Sequence, residues 1–165
     1  MSSGGRLLRA GLLTGLSDGL FATCLSIFVY DSSFTRLWQG VASVPLGPEA
    51  LNGGSGTVAI GLLLHFAVAF TWSAVFLFLV MRSARVRDVL ASPYGVITVA
   101  ALYGPLIWMV MSMVVIPLFT HRPPRITDRW WIQLIGHIPF VAVPMLLAIK
   151  GGEVGRAGEP AGTRE

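Results

Sequence analysis

Four long apolar stretches alternate with short polar segments along the 165-residue chain. Three of these stretches, residues 50–81, 89–121 and 130–149, contain no Asp, Glu, Lys or Arg. A helix needs about 20 apolar residues to cross the hydrocarbon core of a bilayer. Lipid-exposed backbone must satisfy its own hydrogen bonds, so each crossing is expected to be helical. The pattern therefore predicts four transmembrane helices, at residues 7–29, 58–81, 95–119 and 130–149.

The composition excludes an ordinary soluble domain. Apolar residues make up 54% of the chain and charged residues only 12%, with a mean hydropathy of +0.72. We predict an all-α integral membrane protein, with residues 1–150 forming one four-helix bundle. Residues 151–165 are rich in glycine and charge and are expected to form a disordered tail. A short resemblance between 62–65 and 134–137, each ending in histidine, leaves open a repeat of two hairpins in parallel orientation.

The chain has a net charge of +4, and its basic residues are divided unequally between the two sides of the membrane. An even number of spans places both termini on one side, together with eight of the twelve basic residues. The positive-inside rule then predicts that both termini are cytoplasmic. No basic stripe with interleaved aromatic residues is present, so nucleic acid is not an expected partner, whereas the lipid bilayer is.

The outer connection, residues 31–57, contains a helical pattern. Phe34, Leu37, Trp38 and Val41 follow the spacing i, i+3, i+4, i+7. We expect a short helix lying on the membrane surface, with Arg36 and Gln39 facing water.

The second outer segment, residues 120–129, is a short basic loop. It contains Arg122, Arg125 and Arg129, and acids on the same side, such as Asp31, Glu49 and Asp128, could neutralise it. Thr127 is a candidate N-cap for the fourth helix. Trp130 and Trp131 follow it, at the level where aromatic belts lie.

The first predicted helix carries a face of small residues. Gly11, Gly15 and Gly19 repeat every four residues, a spacing that lets another helix approach closely, within the chain or in a homo-oligomer. Asp18 shares this face, so its carboxylate should point into the bundle. A charged group near mid-bilayer costs about 2.5–3.5 kcal/mol on insertion scales and marks a partnered or functional site.

Two histidines are expected near the depth of Asp18. His65 lies seven residues into the second predicted span and His137 seven into the fourth, which puts both roughly 10 Å below the outer face. Asp18, entering from the opposite side, should lie about 13 Å from that face. Gln133 precedes His137 by one helical turn. We therefore predict an intramembrane polar cluster of Asp18, His65, His137 and Gln133.

Three roles for this cluster remain open. It could be a structural hydrogen-bonded group, or a proton-linked site, because histidine titrates near pH 6.5 beside an acid. Alternatively, His65 and His137 could bind haem or quinone in a redox subunit. No cofactor or metal is expected in the first two cases. An enzyme acting on lipid through His121 and the basic loop is a further hypothesis, although no nucleophile or metal set accompanies those cations.

Prolines interrupt the third and fourth spans. Pro105, Pro117, Pro139 and Pro144 each remove a backbone donor and should free the carbonyl four residues earlier. Such kinks can form a gate or a site, but they are also ordinary in membrane helices.

Several motifs resemble the YagU-like family of bacterial inner-membrane proteins. Pro117-Leu118, Pro123-Pro124, Trp130 and Ile135-Gly136-His137 are similar to the carboxy-terminal half of that family. His65 followed by residues 66–80, and the glycine-rich first span, are similar to its earlier helices. The resemblance implies a multi-span inner-membrane protein without an established biochemical activity, and it carries over no catalytic residues.

Overall fold

The computed structural model describes the backbone of residues 2–157 and the side chains of residues 2–151. Over that part of the chain the structure is helical and contains no strand. Three α-helices end in or are interrupted by π-helical turns, at Leu25–Val29, Met111–Val115 and Ile138–Ala142. The α-helices are α1 (Ser3–Cys24), α2 (Phe34–Leu46), α3 (Gly54–Phe78), α4 (Ala84–Ala91), α5 (Gly95–Val110), α6 (Ile116–Thr120), α7 (Asp128–His137) and α8 (Val143–Ala157).

Four continuous helical segments are long and apolar enough to cross a membrane, which confirms the predicted architecture. They are span one (Ser3–Val29), span two (Gly54–Arg82), span three (Gly95–Thr120) and span four (Asp128–Gly151). Large apolar side chains cover their outer surfaces, including Phe28, Leu63 and Leu102, which are each at least 70% exposed. A surface of this kind is stable only where lipid or another apolar partner covers it.

Polar side chains define where two of the helices begin. The Ser2 hydroxyl accepts a hydrogen bond from the Gly5 amide at the start of α1, and Ser33 accepts one from Arg36 at the start of α2. Thr127 occupies the N-cap position of α7, as predicted, but its side chain makes no capping bond. Its main-chain carbonyl instead accepts from Trp130 and Trp131.

The fourth helix extends beyond residue 150, the predicted end of the bundle. α8 continues to Ala157, so residues 151–157, for which the composition predicts a disordered tail, are helical. The rest of that predicted tail, residues 158–165, lies outside the described residues.

The spans pack as two hairpins joined through spans one and four. α1 contacts both α3 and α8, and α5 contacts α7 and α8. α3 and α5 contact each other where the Tyr103 ring packs against Trp72 and Phe76. The apolar core lies towards the end that carries the termini, where Phe76, Tyr103, Met145 and Ile149 are buried. In the opposite half of the bundle the buried side chains include Gln39, Ser112, Trp130 and His137.

Two of the three π-helical turns lie next to a proline. Because Pro139 has no N–H, the carbonyl of Ile135 lacks its usual donor, and it accepts instead from the amide of Ile138. The amide of Val143 then reaches back five residues to Ile138. Before Pro117, the amide of Ile116 bonds in the same way to Met111. Pro139 and Pro117 are thus accommodated by a local change in the hydrogen-bond register. The first change lies directly beside buried His137 and the second beside buried Ser112.

α2 does not lie freely on the membrane surface as expected. Arg36 is exposed, but Gln39, predicted to face water, is buried and donates its side-chain amide to the Gly54 carbonyl at 3.2 Å. The main chain of Trp38 rests on α3 at Gly61, where a Cβ atom would overlap it. α2 is therefore part of the bundle.

Trp130 also departs from the prediction. It is only 8% exposed, and its indole N–H donates to the Ser112 hydroxyl at 3.0 Å, so it joins spans four and three. Trp131 is half-exposed, as a residue of an aromatic belt would be.

Candidate intramembrane polar site

The glycine face of α1 packs against aromatic side chains of α3. A Cβ atom at Gly15 would stand 2.5 Å from the ring of Phe66, and one at Gly11 would overlap Phe70. Gly19 lies beside the His65 ring and Trp38. The small residues thus let α3 lie close enough for His65 to reach the backbone of α1. This face is used within the chain, and association of two copies stays a prediction.

This packing brings Asp18 and His65 together. Oδ2 of Asp18 lies 3.9 Å from Nδ1 of His65, and the two side chains are 20% and 13% exposed. The separation is too long for a hydrogen bond but within the range of an ion pair. The two groups form an ion pair only when His65 is protonated.

The other ring nitrogen of His65 fixes the position of its proton. Nε2 lies 2.9 Å from the Gly15 carbonyl oxygen. A carbonyl can only accept, so Nε2 carries the hydrogen. In the neutral ring Nδ1 is then unprotonated, and it is this atom that faces the Asp18 carboxyl group. Between Nδ1 and Oδ2 there is room for one further proton, on either partner.

His137 is near this pair but not bonded to it. Its Nδ1 donates to the main-chain carbonyl of Gln133 at 2.7 Å, and its ring packs 5.1 Å from that of Trp108. Among the described residues no hydrogen bond joins His137 to Asp18 or to His65. Gln133 contributes its carbonyl to the site rather than its side-chain amide. The structure therefore gives a pair, Asp18 and His65, with His137 as a separate buried neighbour.

Several buried polar atoms around these residues have no hydrogen-bond partner among the described residues. They include Oδ1 of Asp18, the hydroxyl of Thr14 and the indole N–H groups of Trp38 and Trp108. The Trp38 ring lies 5.0 Å from that of His65. Unsatisfied buried groups are few in native proteins, so their concentration here marks the region as more than apolar packing.

His65 is not arranged as a free ligand. Nε2 of His65 is bonded to Gly15, and Nδ1 faces Asp18, so binding iron would require breaking this arrangement. Among residues 2–157, no group of three His, Cys, Asp or Glu side chains could hold a metal ion. A haem bridging His65 and His137 would require His65 to leave its bond to Gly15, and the haem hypothesis stays a prediction.

The outer basic loop is separate from this site. Arg129 packs over the Tyr30 ring, 4.1 Å from its centroid. Within the described part of the chain, Arg122, Arg125 and Arg129 make no ion pair with the acids expected to neutralise them. Residues 121–127 form no helix, and His121 ends α6 in a left-handed conformation.

Sequence reasoning missed the two tryptophans of the site. The helical pattern of residues 34–41 predicts that Trp38 lies at the membrane surface, and no pattern singles out Trp108. Trp108 lies near the middle of span three, whereas tryptophan in membrane proteins is enriched at the interfaces. This mid-span position is the sequence signal that could have indicated that Trp108 belongs to the site.

Fold and site together define an all-α, multi-pass membrane protein with a polar pair inside a four-helix bundle. No family model matches the chain, and no curated protein or solved structure matches it. The resemblance to the YagU-like family stays a prediction.

Proposed function

We propose that this chain is a non-enzymatic protein of the bacterial inner membrane, with both termini in the cytoplasm, whose Asp18–His65 pair binds and releases a proton. The inner-membrane assignment rests on the four spans and on the resemblance to YagU-like proteins. The observation that carries the proton-linked role is the unprotonated Nδ1 atom of His65 facing Asp18 across 3.9 Å.

The orientation is supported by the basic residues at the end that carries the termini. Lys150 donates to the Leu90 carbonyl at the end of α4, and Arg87 donates to the carbonyls of Met81 and Arg82. Arg9 lies beside Gly151 at the same end. Lys150 and Arg87 thus bind carbonyls at helix ends at one interface, where the positive-inside rule expects cations on the cytoplasmic side.

The proton-linked role is favoured over a purely structural one by what the pair lacks. A structural pair would be joined by a hydrogen bond, whereas Oδ2 of Asp18 and Nδ1 of His65 face each other at 3.9 Å, too far apart to form one. A proton on Nδ1 or on Oδ2 would supply the donor that a hydrogen bond between these two atoms needs. The gain is large at this depth, because an unpaired carboxylate is costly there.

The surroundings of His65 limit what else could control its protonation. From α1 it is faced by Asp18 and the Gly15 carbonyl, and from α2 by the uncharged Trp38 ring. His137, from α7, interacts with the pair through space. Asp18 is therefore the acid that should govern the pH response.

Trp38 provides a reporter for the test. A protonated imidazole in contact with an indole quenches its fluorescence, and the two rings are 5.0 Å apart. We would titrate the purified protein in lipid vesicles across about pH 5 to 8, the range in which histidine titrates. The wild type should lose fluorescence as the pH falls, and Trp38→Phe should lack this change.

Two carboxylate variants provide the matched comparison. Asp18→Asn should abolish the fluorescence change, since the charge that stabilises the protonated ring is gone. Asp88→Asn removes an exposed acid on α4 and should leave the change intact. An unaltered titration in Asp18→Asn, or a flat wild-type profile, would contradict the proton-linked role.

A further inference from the structure

A cleft opens between spans two and three, where α3 and α5 separate. Its volume is about 280 Å³, and α4 closes it at the end that carries the termini. Apolar side chains from all three helices line it, among them Phe76, Val89, Val99 and Leu106. The cleft is independent of the Asp18–His65 pair and of the function proposed for it.

Of the polar side chains that line the cleft, all but one form hydrogen bonds with other described residues. The Tyr103 hydroxyl donates to the Trp72 carbonyl at 2.9 Å, and the Thr98 hydroxyl donates to the Tyr94 carbonyl at 3.1 Å. Arg85, on α4, is exposed and forms no hydrogen bond or ion pair with the described residues, Asp88 one turn later included. The cleft thus presents an unneutralised cation at the mouth of an otherwise apolar slot.

The dimensions of the cleft match one leaflet. Thr98 and Leu106, both in its lining, are eight residues apart on span three, which corresponds to about 12 Å along the helix. One leaflet of the hydrocarbon core is about 15 Å thick. Arg85 lies on α4, the short helix that connects span two to span three.

We propose that this cleft binds an anionic phospholipid, with one acyl chain between spans two and three and the phosphate paired with Arg85. An apolar slot suits the chain, and the free guanidinium suits a phosphate, which arginine binds in a bidentate manner. Basic positions between transmembrane helices on the cytoplasmic side bind acidic lipid headgroups in this way. A zwitterionic lipid would bind Arg85 less favourably, because the positive group of its own headgroup competes with the guanidinium for the phosphate.

The test is a lipid titration of the full chain in detergent, followed by native mass spectrometry. Phosphatidylglycerol and phosphatidylcholine with identical acyl chains are the two probes. The wild type should retain phosphatidylglycerol about fivefold more tightly, the effect expected of one basic residue near the surface. Arg85→Gln should lose this preference. Arg125→Gln removes the same charge at the opposite end of the bundle and should keep it.

A second variant tests the apolar part. Val89→Trp enlarges a partly exposed side chain at the edge of the cleft, so it should reduce retention of both lipids without preventing folding. The proposal is overturned if the wild type does not distinguish the two lipids, or if Arg85→Gln retains the preference. Unchanged retention by Val89→Trp would equally exclude the cleft as the binding site.

Discussion

The contact between α5 and α7 at Gly104 yields a quantitative prediction about the position of His137. A Cβ atom at Gly104 would stand 2.5 Å from the His137 carbonyl oxygen, 2.8 Å from its carbonyl carbon and 3.0 Å from the Ile138 nitrogen. Ordinary contacts of this kind begin at 3.4 Å. All three atoms belong to the backbone, so Gly104→Ala must separate the helices by about 0.9 Å, the difference between 3.4 and 2.5 Å.

The cost of this separation can be measured against a matched glycine. Overpacking of this kind typically costs about 1–3 kcal/mol. Replacing a helical glycine by alanine also stabilises the helix by about 1 kcal/mol, which must be subtracted. Gly40, in the interior of α2, provides that control, because a Cβ atom added there would meet nothing within 4 Å. Gly104→Ala should therefore be about 1–3 kcal/mol less stable than Gly40→Ala.

Thermal unfolding of both variants in the same detergent, followed by circular dichroism, measures the difference. For a chain of this size 1 kcal/mol corresponds to roughly 2–4 °C in Tm. If Gly104→Ala unfolds at the same temperature as Gly40→Ala, the helices do not meet at His137 and the placement of that residue is wrong.

Three further predictions concern other parts of the molecule. Trp130→Phe should lower the free energy of unfolding by about 0.5–1.5 kcal/mol, because it removes the hydrogen bond to Ser112. Trp131 is half-exposed and lacks such a bond, so Trp131→Phe should change the stability little. Equal effects of the two substitutions would contradict the role assigned to Trp130. In a Cys24→Ser background, an impermeant maleimide added to whole cells should label Arg125→Cys but not Arg85→Cys, and the reverse pattern would invert the topology. The purified protein should show no Soret band after haem supplementation, while a band that vanishes in His137→Ala would revive the haem hypothesis.

The spans could be predicted from the sequence because their signal is local. About twenty apolar residues in succession predict a transmembrane helix whatever the helix packs against. The observed spans extend the predicted ends by only a few residues. The shared face of Gly15 and Asp18 followed from helical periodicity alone. The depth of His65 followed from counting residues along its span, which is why its meeting with Asp18 could be anticipated.

The surroundings of the pair could not be predicted in this way. The pattern of α2 defined an apolar face but not what covers it, so the burial of Gln39 depended on the Gly54 carbonyl, fifteen residues away. His137 is followed by a π-helical turn, and its backbone contacts Gly104 of α5. Both are tertiary features, set by helices distant in the sequence.

The most direct test of the Asp18–His65 pair is nitrogen-15 NMR of histidine-labelled protein in lipid bilayers. Three histidines are present, and His65→Gln identifies the signal of interest. At about pH 8, His65 should be neutral with its proton on Nε2, as its bond to Gly15 requires; towards about pH 5, Nδ1 should gain a proton, and Asp18→Asn should remove that transition. A proton on Nδ1 at high pH, or a spectrum unchanged over the range, would contradict the proton-linked pair.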